Sequence, residues 1–575
     1  MKNRLQATGY RLQATGYRLQ VTGYRLQATG YRLQATGYRL QATGYRLQAT
    51  GYRLQVTGYR LQVTGYRLQV TGYRLQATGY RVQATGYSLK RVMFRVLLIN
   101  PWATDFSAFD LWARPLGLLY LAGVVRHLGG EPILVDCLDR NHWSLSERPF
   151  KPRAFSCGKY PAQEIAKPAA LRWVPRKFKR YGISANAFRQ SLDRVGEPNL
   201  ILVGSRMTHW YPGVVEAIAM LRERFPHVPI ALGGVYATLF PEHARRFSGA
   251  DHIVAGEGEN AVVRLVNELA KPGAAAPPFD LAALDDLPEP AYDLLSARDC
   301  LPFLTSRGCP QRCSYCASHR MFGRFRRRDP IRAADHLVEC IERFASRGTG
   351  RQPVSPDSLE NRPSSRPNGD VAFYDDALLA GASRHFVPFC DRLLEQRHCF
   401  GSNVRFHTPN GVDFGSLDDA VAERMVSLGF ENLRLSLETA NRERLKQMGR
   451  KSDLSRFEAA LRSLSRAGFD LRRVGVYILF GLPGQKRAEI EQTVDYVLAL
   501  GAMPKLGEFS PLPFTVEWDK VRALGNPPLE EEPLLANNSV FYRLDPEFPD
   551  SWVNDLRRRI RDARLPNAMN DDEQA

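Results

Sequence analysis

From Arg95 onward the chain alternates short apolar runs with amphipathic stretches. RVLLINP (95–101) is continuously apolar and ends at a proline, the pattern of a parallel strand buried on both faces. LGLLYLAGVVRHLGG (116–130) has helical spacing and stops at a glycine pair. PILVDCLD (132–139) is the next strand. NLILVGS (199–205) opens a second unit, continued by helix VVEAIAMLRERF, strand PIALGGV and the short strand HIVAGEGEN. Strands alternating with helices predict a doubly wound, Rossmann-like parallel sheet over 93–272, with ligands at the carboxyl ends of its strands. The glycine-rich tips Val203-Gly204-Ser205, Gly233-Gly234 and Gly256-Glu257-Gly258-Glu259 fall at those ends. Backbone without a Cβ can approach a nucleotide tail closely there, although tight-turn glycine is the plainer explanation for any one tip.

Residues 145–190 interrupt this sheet with a basic, proline-rich stretch, too long for an ordinary loop. It reads as a lid or a subdomain, with a solvated irregular insertion as the alternative. An Ala/Pro linker over 273–295 leads to a second alternating region, 296–520. Its elements are FLTSRGC, a helix near 332–345, VAFYDD, VRFHTPNG, AVAERMVSLG, NLRLSLET, RFEAALRSLSRAG, VGVYILFGLPG, EIEQTVDYVLALG and KLGEFSPLPF. Six strands interleaved with helices predict a partial (β/α)6, TIM-like barrel. The segment 347–369 breaks the alternation and reads as a disordered insertion. Residues 521–575 read as a peripheral helical cap with an acidic tail.

Ahead of all this, residues 4–87 are twelve copies of a heptad, R-L-Q-(A/V)-T-G-Y, the last in the variant form RVQATGY. A coiled coil needs apolar a and d positions in good helix formers, and each copy here carries Gly, Thr and Tyr. Gly alone costs a helix about 1 kcal/mol relative to Ala. The near-identity of the copies points to a translated tandem DNA repeat before a natural start at Met93, leaving 1–92 a disordered low-complexity tail. A repetitive Arg/Tyr interaction segment is the alternative. The repeat also explains the charge: of the net +19, twelve charges are repeat arginines, leaving about seven. The overall basicity is therefore no sign of a nucleic-acid-binding domain.

No run reaches the roughly 18 apolar residues of a membrane span, and the N-terminus lacks the apolar core of a signal peptide. Nine cysteines, three of them within eight residues, argue for a reducing, cytoplasmic protein rather than a secreted disulfide scaffold.

Those three are Cys309, Cys313 and Cys316, a C-x3-C-x2-C loop directly after an apolar strand. Three thiolates on one loop can hold three corners of a four-iron four-sulfur (4Fe-4S) cubane and leave the fourth iron open. His319 lies three residues on and would complete a Cys3His zinc site, so spacing alone leaves both metals open. Cys137, Cys157, Cys300, Cys340, Cys390 and Cys399 show no ligand spacing and read as packing residues, with Cys157 in an exposed, reactive position.

C-x3-C-x2-C with an aromatic before the last cysteine, at the start of an α/β barrel, resembles the signature of the radical S-adenosylmethionine (SAM) superfamily. VAFYDD is similar to that family's second-strand motif, which approaches the amino group of SAM. LRLSLET places Glu438 where relatives carry a polar residue for the ribose or carboxylate, and GVYILFGLPGQ resembles the strand that contacts the adenine. The resemblance implies Tyr315, Tyr374, Asp375, Asp376, Glu438, Gly481 and Gly484 as SAM-binding residues, with the cluster on Cys309, Cys313 and Cys316. The N-terminal region, with INP, GVVRHLGGEPILVD, GGVYAT and GEGE, resembles the cobalamin-binding-type domain ahead of many such barrels. It implies cobalamin contacts at Gly204, Ser205, Thr208, Gly233, Gly234, Gly256 and Glu257. The D-x-H-x-x-G motif that gives cobalt a histidine is absent, its nearest counterpart being Asp139-Arg-Asn-His142-Trp; relatives exist that bind cobalamin without a protein ligand.

The implied activity is reductive cleavage of SAM to start radical chemistry, with methyl transfer to an unreactive carbon where cobalamin is present. The partners are a small-molecule, lipid or peptide substrate and an electron donor such as a flavodoxin or ferredoxin. Two other classes remain. One is an RNA-modifying enzyme using Arg324-Phe-Arg326-Arg327-Arg328 and the C-terminal arginines, although no RNA-binding module follows the barrel. The other is a zinc- or cluster-bearing binding module without catalysis.

Overall fold

The computed structural model describes residues 94–145, 154–269, 276–296, 299–346, 369–400, 403–449, 453–525 and 528–563. The repeat tail over 1–92, the insertion over 347–369 apart from Gly369, and the end of the acidic tail lie outside the described residues.

The first sheet contains β1 (Arg95–Asn100), β2 (Glu131–Asp136), β3 (Leu200–Val203), β4 (Ile230–Leu232) and β5 (His252–Ile253). All pairings are parallel, in the order β5-β4-β3-β1-β2. The chain runs outward from β1 to β2 and then returns to the other side of β1, so β1 and β3 flank the switch point. The continuous apolar runs follow from the two layers of cover. Leu97, Ile99, Ile201 and Val203 pack with Phe188 and Leu192 of α2 (Ala185–Asp193) and with Val214, Ala217 and Leu221 of α3 (Tyr211–Arg224). Val96, Leu98, Leu200 and Leu202 face the other way, onto α1 (Leu116–His127) and α4 (Glu259–Leu269). The linker is pressed against α1: a Cβ on Gly123 would sit 2.1 Å from the Glu289 carbonyl oxygen.

The barrel strands are β6 (Cys300–Phe303), β7 (Gly369–Phe373), β8 (Val404–His407), β9 (Arg434–Glu438), β10 (Gly475–Phe480) and β11 (Met503–Glu508). Two parallel three-stranded ladders, β6-β7-β8 and β9-β10-β11, are joined by the parallel bridges Phe406–Phe430 and Val412–Leu435. The outer layer includes α5 (Pro330–Ser346), α6 (Phe386–Glu395), α7 (Asp419–Leu428), α8 (Leu454–Arg466) and α9 (Arg487–Ala499). Helix α6 escapes the sequence reading because Pro388 breaks its pattern. Proline is tolerated in a first helical turn, and Phe386, Phe389, Cys390 and Leu393 supply the buried face.

Two expectations are corrected. Residues 154–181 are not a solvated irregular insertion. Ala162–Glu164 and Lys179–Tyr181 pair antiparallel, and Lys179–Tyr181 pairs in turn with Ala103–Asp105. Leu171, Val174 and Phe178 bury themselves against Phe106, Leu534 and Val540, which makes a subdomain. Nor is the C-terminal region a peripheral cap. Leu535 and Ala536 enter the core of the first domain, while Phe548, Val553 and Leu556 enter that of the barrel. Between them Asn537 is fully buried and donates to Asp105 Oδ1 at 3.0 Å. Leu535 and Ala536 sit in the single turn Pro533–Ala536, followed by another, Asn538–Phe541, both too short to show a period, whereas Val553 and Leu556 lie on the helix Asp550–Asp562.

Candidate functional site

The cysteine loop leaves the carboxyl end of the first barrel strand and is held at both ends. Gly308 and Gly449 have φ of +80° and +71°. A Cβ on Gly449 would lie 2.9 Å from the Arg312 carbonyl oxygen, so glycine lets the neighbouring turn close over the loop. Ser314 N donates to Met448 O at 3.0 Å, Ser314 Oγ donates to Glu517 Oε1 at 2.7 Å, and Glu517 N donates back to Ser314 O at 3.1 Å. Cys309, Cys313 and Cys316 are half-buried and free. Burial pushes the Cys309 thiol up and the Cys316 thiol up to about 11, so neither is a thiolate at neutral pH without a metal. Among the described residues no three His, Cys, Asp or Glu side chains converge on one ion.

The two aspartates after β7 diverge. Asp375 faces the protein: it accepts from Thr305 N, from Thr305 Oγ1 at 2.7 Å and from Ser306 Oγ at 2.5 Å, and burial pushes it up to about 6. Asp376 faces the cavity above the cysteine loop and accepts from Ser318 Oγ at 2.5 Å, two residues past Cys316. Tyr374 lines the same cavity, and its hydroxyl bonds Trp112 O and accepts from Arg114 N, both contributed by the first domain. Tyr315 packs toward the first domain's core. Glu438 ends β9 at a bulge with φ of +70°, a left-handed conformation rare for a residue with a Cβ. Gly481 begins the turn after β10, which Gln485 staples by accepting from Gly481 N and Leu482 N and donating to Leu479 O. Gly484 lies three residues on and turns back with φ of +69°.

A cavity of about 400 Å³ lies between the carboxyl ends of the first sheet and this face of the barrel. Gly204, Ser205, Gly233, Gly234, Gly256 and Glu257 all line it, next to Asn100 at the switch point. Leu116, Leu118, Leu121, Val203 and Val254 give it apolar walls, and Ser306, Arg307, Met321 and Asp376 close it from the barrel side. The Gly234 backbone approaches so closely that a Cβ would sit 2.2 Å from Ser205 O. Thr208 is buried outside this lining. His142 is also elsewhere, beside a second cavity, with its ring nitrogens 2.8 Å from Ser144 Oγ and 3.0 Å from Ser191 Oγ. No histidine lines the first cavity among the described residues. A glycine-edged, largely apolar cavity shared by two domains fits a large flat cofactor with no protein ligand beneath it.

Sequence reasoning missed the charges that frame the cavity. Arg307 bonds Glu257 at 2.8 Å and Glu259 at 2.6 Å, lies 4.6 Å over the Tyr120 ring, and these carboxylates hold its guanidinium well above the usual arginine range despite burial. Glu257 is thereby an ion-pair partner, taken also by Arg326 at 2.6 Å. Arg326 and Arg328, expected as phosphate contacts in the RNA reading, are spent internally, Arg328 on Asp285 at 2.8 Å. Cys157, expected to be exposed and reactive, is buried against Trp112 and Cys300, which pushes its thiol up to about 12.

Residues 303–497 match the radical SAM superfamily, and residues 182–266 match the B12 binding domain. The chain is 31% identical over 167 residues to the anaerobic magnesium-protoporphyrin IX monomethyl ester cyclase of Synechocystis, covering 24% of this chain and 34% of that protein. It spans about half the length of several other curated relatives. With cytidylyl-2-hydroxyethylphosphonate methyltransferase of Streptomyces wedmorensis it shares 21% identity over 469 residues, 71% of this chain and 77% of that one. Among solved structures it is similar to the radical SAM methyltransferase TsrM of Kitasatospora setae, with TM-score 0.52 and 17% identity over 75% of this chain and 76% of that one; the two share a fold. The chain thus carries a radical SAM superfamily barrel joined to a B12 binding domain.

Proposed function

We propose that this chain is a radical SAM enzyme that holds a 4Fe-4S cluster on Cys309, Cys313 and Cys316 and cobalamin in the interdomain cavity, and that it methylates an unreactive carbon of a small-molecule, lipid or peptide substrate. The observation that carries this reading is the cavity itself, where the glycine-tipped strand ends of one domain meet Asp376 and the base of the cysteine loop of the other. Methyl transfer rests on the methyltransferase relative aligned over most of both chains. When bound, the cluster supplies the electron that cleaves SAM to a carbon-centred radical, and cobalamin supplies the methyl group. Cys309, Cys313 and Cys316 would hold the cluster, which would bind SAM through its amino and carboxylate groups. Asp376, fixed by Ser318, offers a carboxylate to the amino group. The stapled turn at Gly481 offers backbone to the adenine, and the leucines of α1 exclude water from the cavity. The electron comes from a flavodoxin or ferredoxin, and the protein works in the cytoplasm. No helix among the described residues is long and apolar enough to cross a membrane.

The test is anaerobic loading of the full chain with iron and sulfide, then dithionite and SAM, with 5′-deoxyadenosine as product and Cys313→Ala as control. Product lost in the control, and methyl-labelled substrate extract only when cobalamin is added, supports both parts. A colourless protein retaining one zinc and forming no product overturns them.

A further inference from the structure

Successive residues of the last three barrel strands point to opposite faces. Leu435, Leu437, Val476, Ile478 and Phe480 pack into the core shared with the outer helices, and Leu506 leans on it. Arg434, Ser436, Tyr477 and Lys505 therefore face the barrel interior, each half-buried. Register sets Ser436, Tyr477 and Lys505 side by side across β9, β10 and β11. Arg434 starts one step deeper and crosses over Gly475, where a Cβ would stand 2.4 Å from its Nη1. Glycine in β10 is what lets the guanidinium lie there. It reaches the Tyr477 hydroxyl, which donates in turn to Pro409 O at 3.0 Å.

The other half of the interior is filled by the protein itself. Trp112, from the first domain, stacks on His407 of β8 with ring centroids 4.3 Å apart, and packs with Cys157, Cys300 and Ala372. Its Nε1 donates to Phe155 O at 2.8 Å. Asp370, the carboxylate on that side, is already taken: Arg405 Nε donates to it at 2.8 Å, and His407 Nε2 lies 2.8 Å from it. The half of the interior that stays accessible thus presents an arginine and a lysine, with Glu438 above them at the rim. Charges in a walled space act more strongly than in open water. A guanidinium offers a fork that matches carboxylate or phosphate oxygens, and an ammonium adds a point charge.

We propose that the substrate is a small molecule bearing a carboxylate or phosphate, whose charge is held by Arg434 and Lys505 in the β9–β11 half of the barrel. The proposal deepens the radical SAM reading and rests on it. The row of Ser436, Tyr477 and Lys505 lies two residues, about 7 Å, below the strand ends. A substrate anchored there by its charge turns its far end up to the rim, so the carbon that is methylated is remote from the anionic group. Trp112 and Phe155 leave no room for a peptide chain on the β6–β8 side.

The test supplies the iron-loaded full chain with cobalamin, dithionite, methyl-labelled SAM and a small-molecule cell extract, and passes the products over an anion-exchange column at pH 7. The label is expected to be retained. Arg434→Gln/Lys505→Gln is expected to label about ten-fold less at dilute extract, with concentrated extract restoring the yield. Arg434→Lys is expected to keep more activity than Arg434→Gln, and serves instead of the double variant if that one loses iron or melts early. Labelled product that passes through the column uncharged overturns the proposal, as does equal labelling by wild type and variants. Where wild type transfers no label, calorimetry with methylphosphonate and with acetate decides. Binding that the variant loses supports the anion site and tells phosphate from carboxylate, whereas equal or absent binding overturns it. Failure of wild type to form 5′-deoxyadenosine overturns the radical reading instead, and leaves that binding comparison to judge the anion site by itself.

Discussion

Arg307 and Glu259 lie 2.6 Å apart with less than a tenth of either side chain exposed, and they belong to different domains. Arg307 follows the first barrel strand, whereas Glu259 opens the last helix of the first domain. The cavity thus has a charged wall whose charges are already satisfied, and a bound group meets the pair as a fixed edge.

Arg307→Met is expected to destabilise the chain by about 3–5 kcal/mol, because it leaves Glu259 buried without its cation while Glu257 keeps Arg326. Thermal unfolding of single and double variants checks this. Arg307→Met/Glu259→Leu recovers part of the loss if the pair itself is the cause. A single variant with the melting temperature of wild type would sink the argument.

Asp376 and Asp375 are expected to separate in SAM binding. Asp376→Asn keeps the Ser318 bond but removes the charge facing the cavity, and weakens SAM about ten-fold, the value of one charge-assisted hydrogen bond. Asp375→Asn, whose partners are Thr305 and Ser306, changes SAM affinity less than about three-fold. Equilibrium dialysis of SAM against the iron-loaded proteins decides, and the reverse ranking contradicts the geometry.

Much of this was legible in the sequence. The five strands of the first sheet read directly as apolar runs, since a parallel strand covered on both faces needs no alternation. The cysteine loop read from its spacing, and six of the seven residues expected at cobalamin line one cavity. The seventh, Thr208, sits one turn past the strand end, a distance that motif reading does not resolve. The Arg114–Asp299 and Glu257–Arg307 ion pairs were invisible because their partners meet only after two domains dock. The C-terminal segment was misread for a related reason: Leu534 is buried in one core, and Leu535 and Ala536 in another, rather than on one periodic face.

Asp375 also carries a pH signature. Burial raises its carboxyl to about 6, above the ordinary value of 3.8, so protonation favours the folded state. That contribution is complete below about pH 4 and is lost as pH rises through 6, on the order of 3 kcal/mol by neutral pH. Asp375→Asn cannot titrate. The melting temperature of wild type minus that of the variant is therefore expected to fall between about pH 4.5 and about pH 7.5. A difference that is flat or rises with pH would show that the hydrogen bonds from Thr305 and Ser306 hold the carboxylate charged.

Glu438 tests whether backbone strain at the barrel rim is real. Its φ of +70° falls at the bulge that breaks the β9–β10 register, and only 8% of the residue is exposed. Glu438→Ala and Glu438→Gly both remove the carboxylate that the family resemblance assigns to SAM, so on that proposal both lose a comparable part of SAM affinity. Only glycine also removes the clash of a Cβ in the left-handed region, worth about 1–2 kcal/mol, against about 0.5–1 kcal/mol of added chain entropy in the unfolded state. Glu438→Gly is therefore expected to unfold at a higher temperature than Glu438→Ala while binding SAM equally weakly. If alanine proves the more stable, the bulge relaxes to ordinary strand geometry without the carboxylate, and Glu438 itself is what holds the left-handed turn.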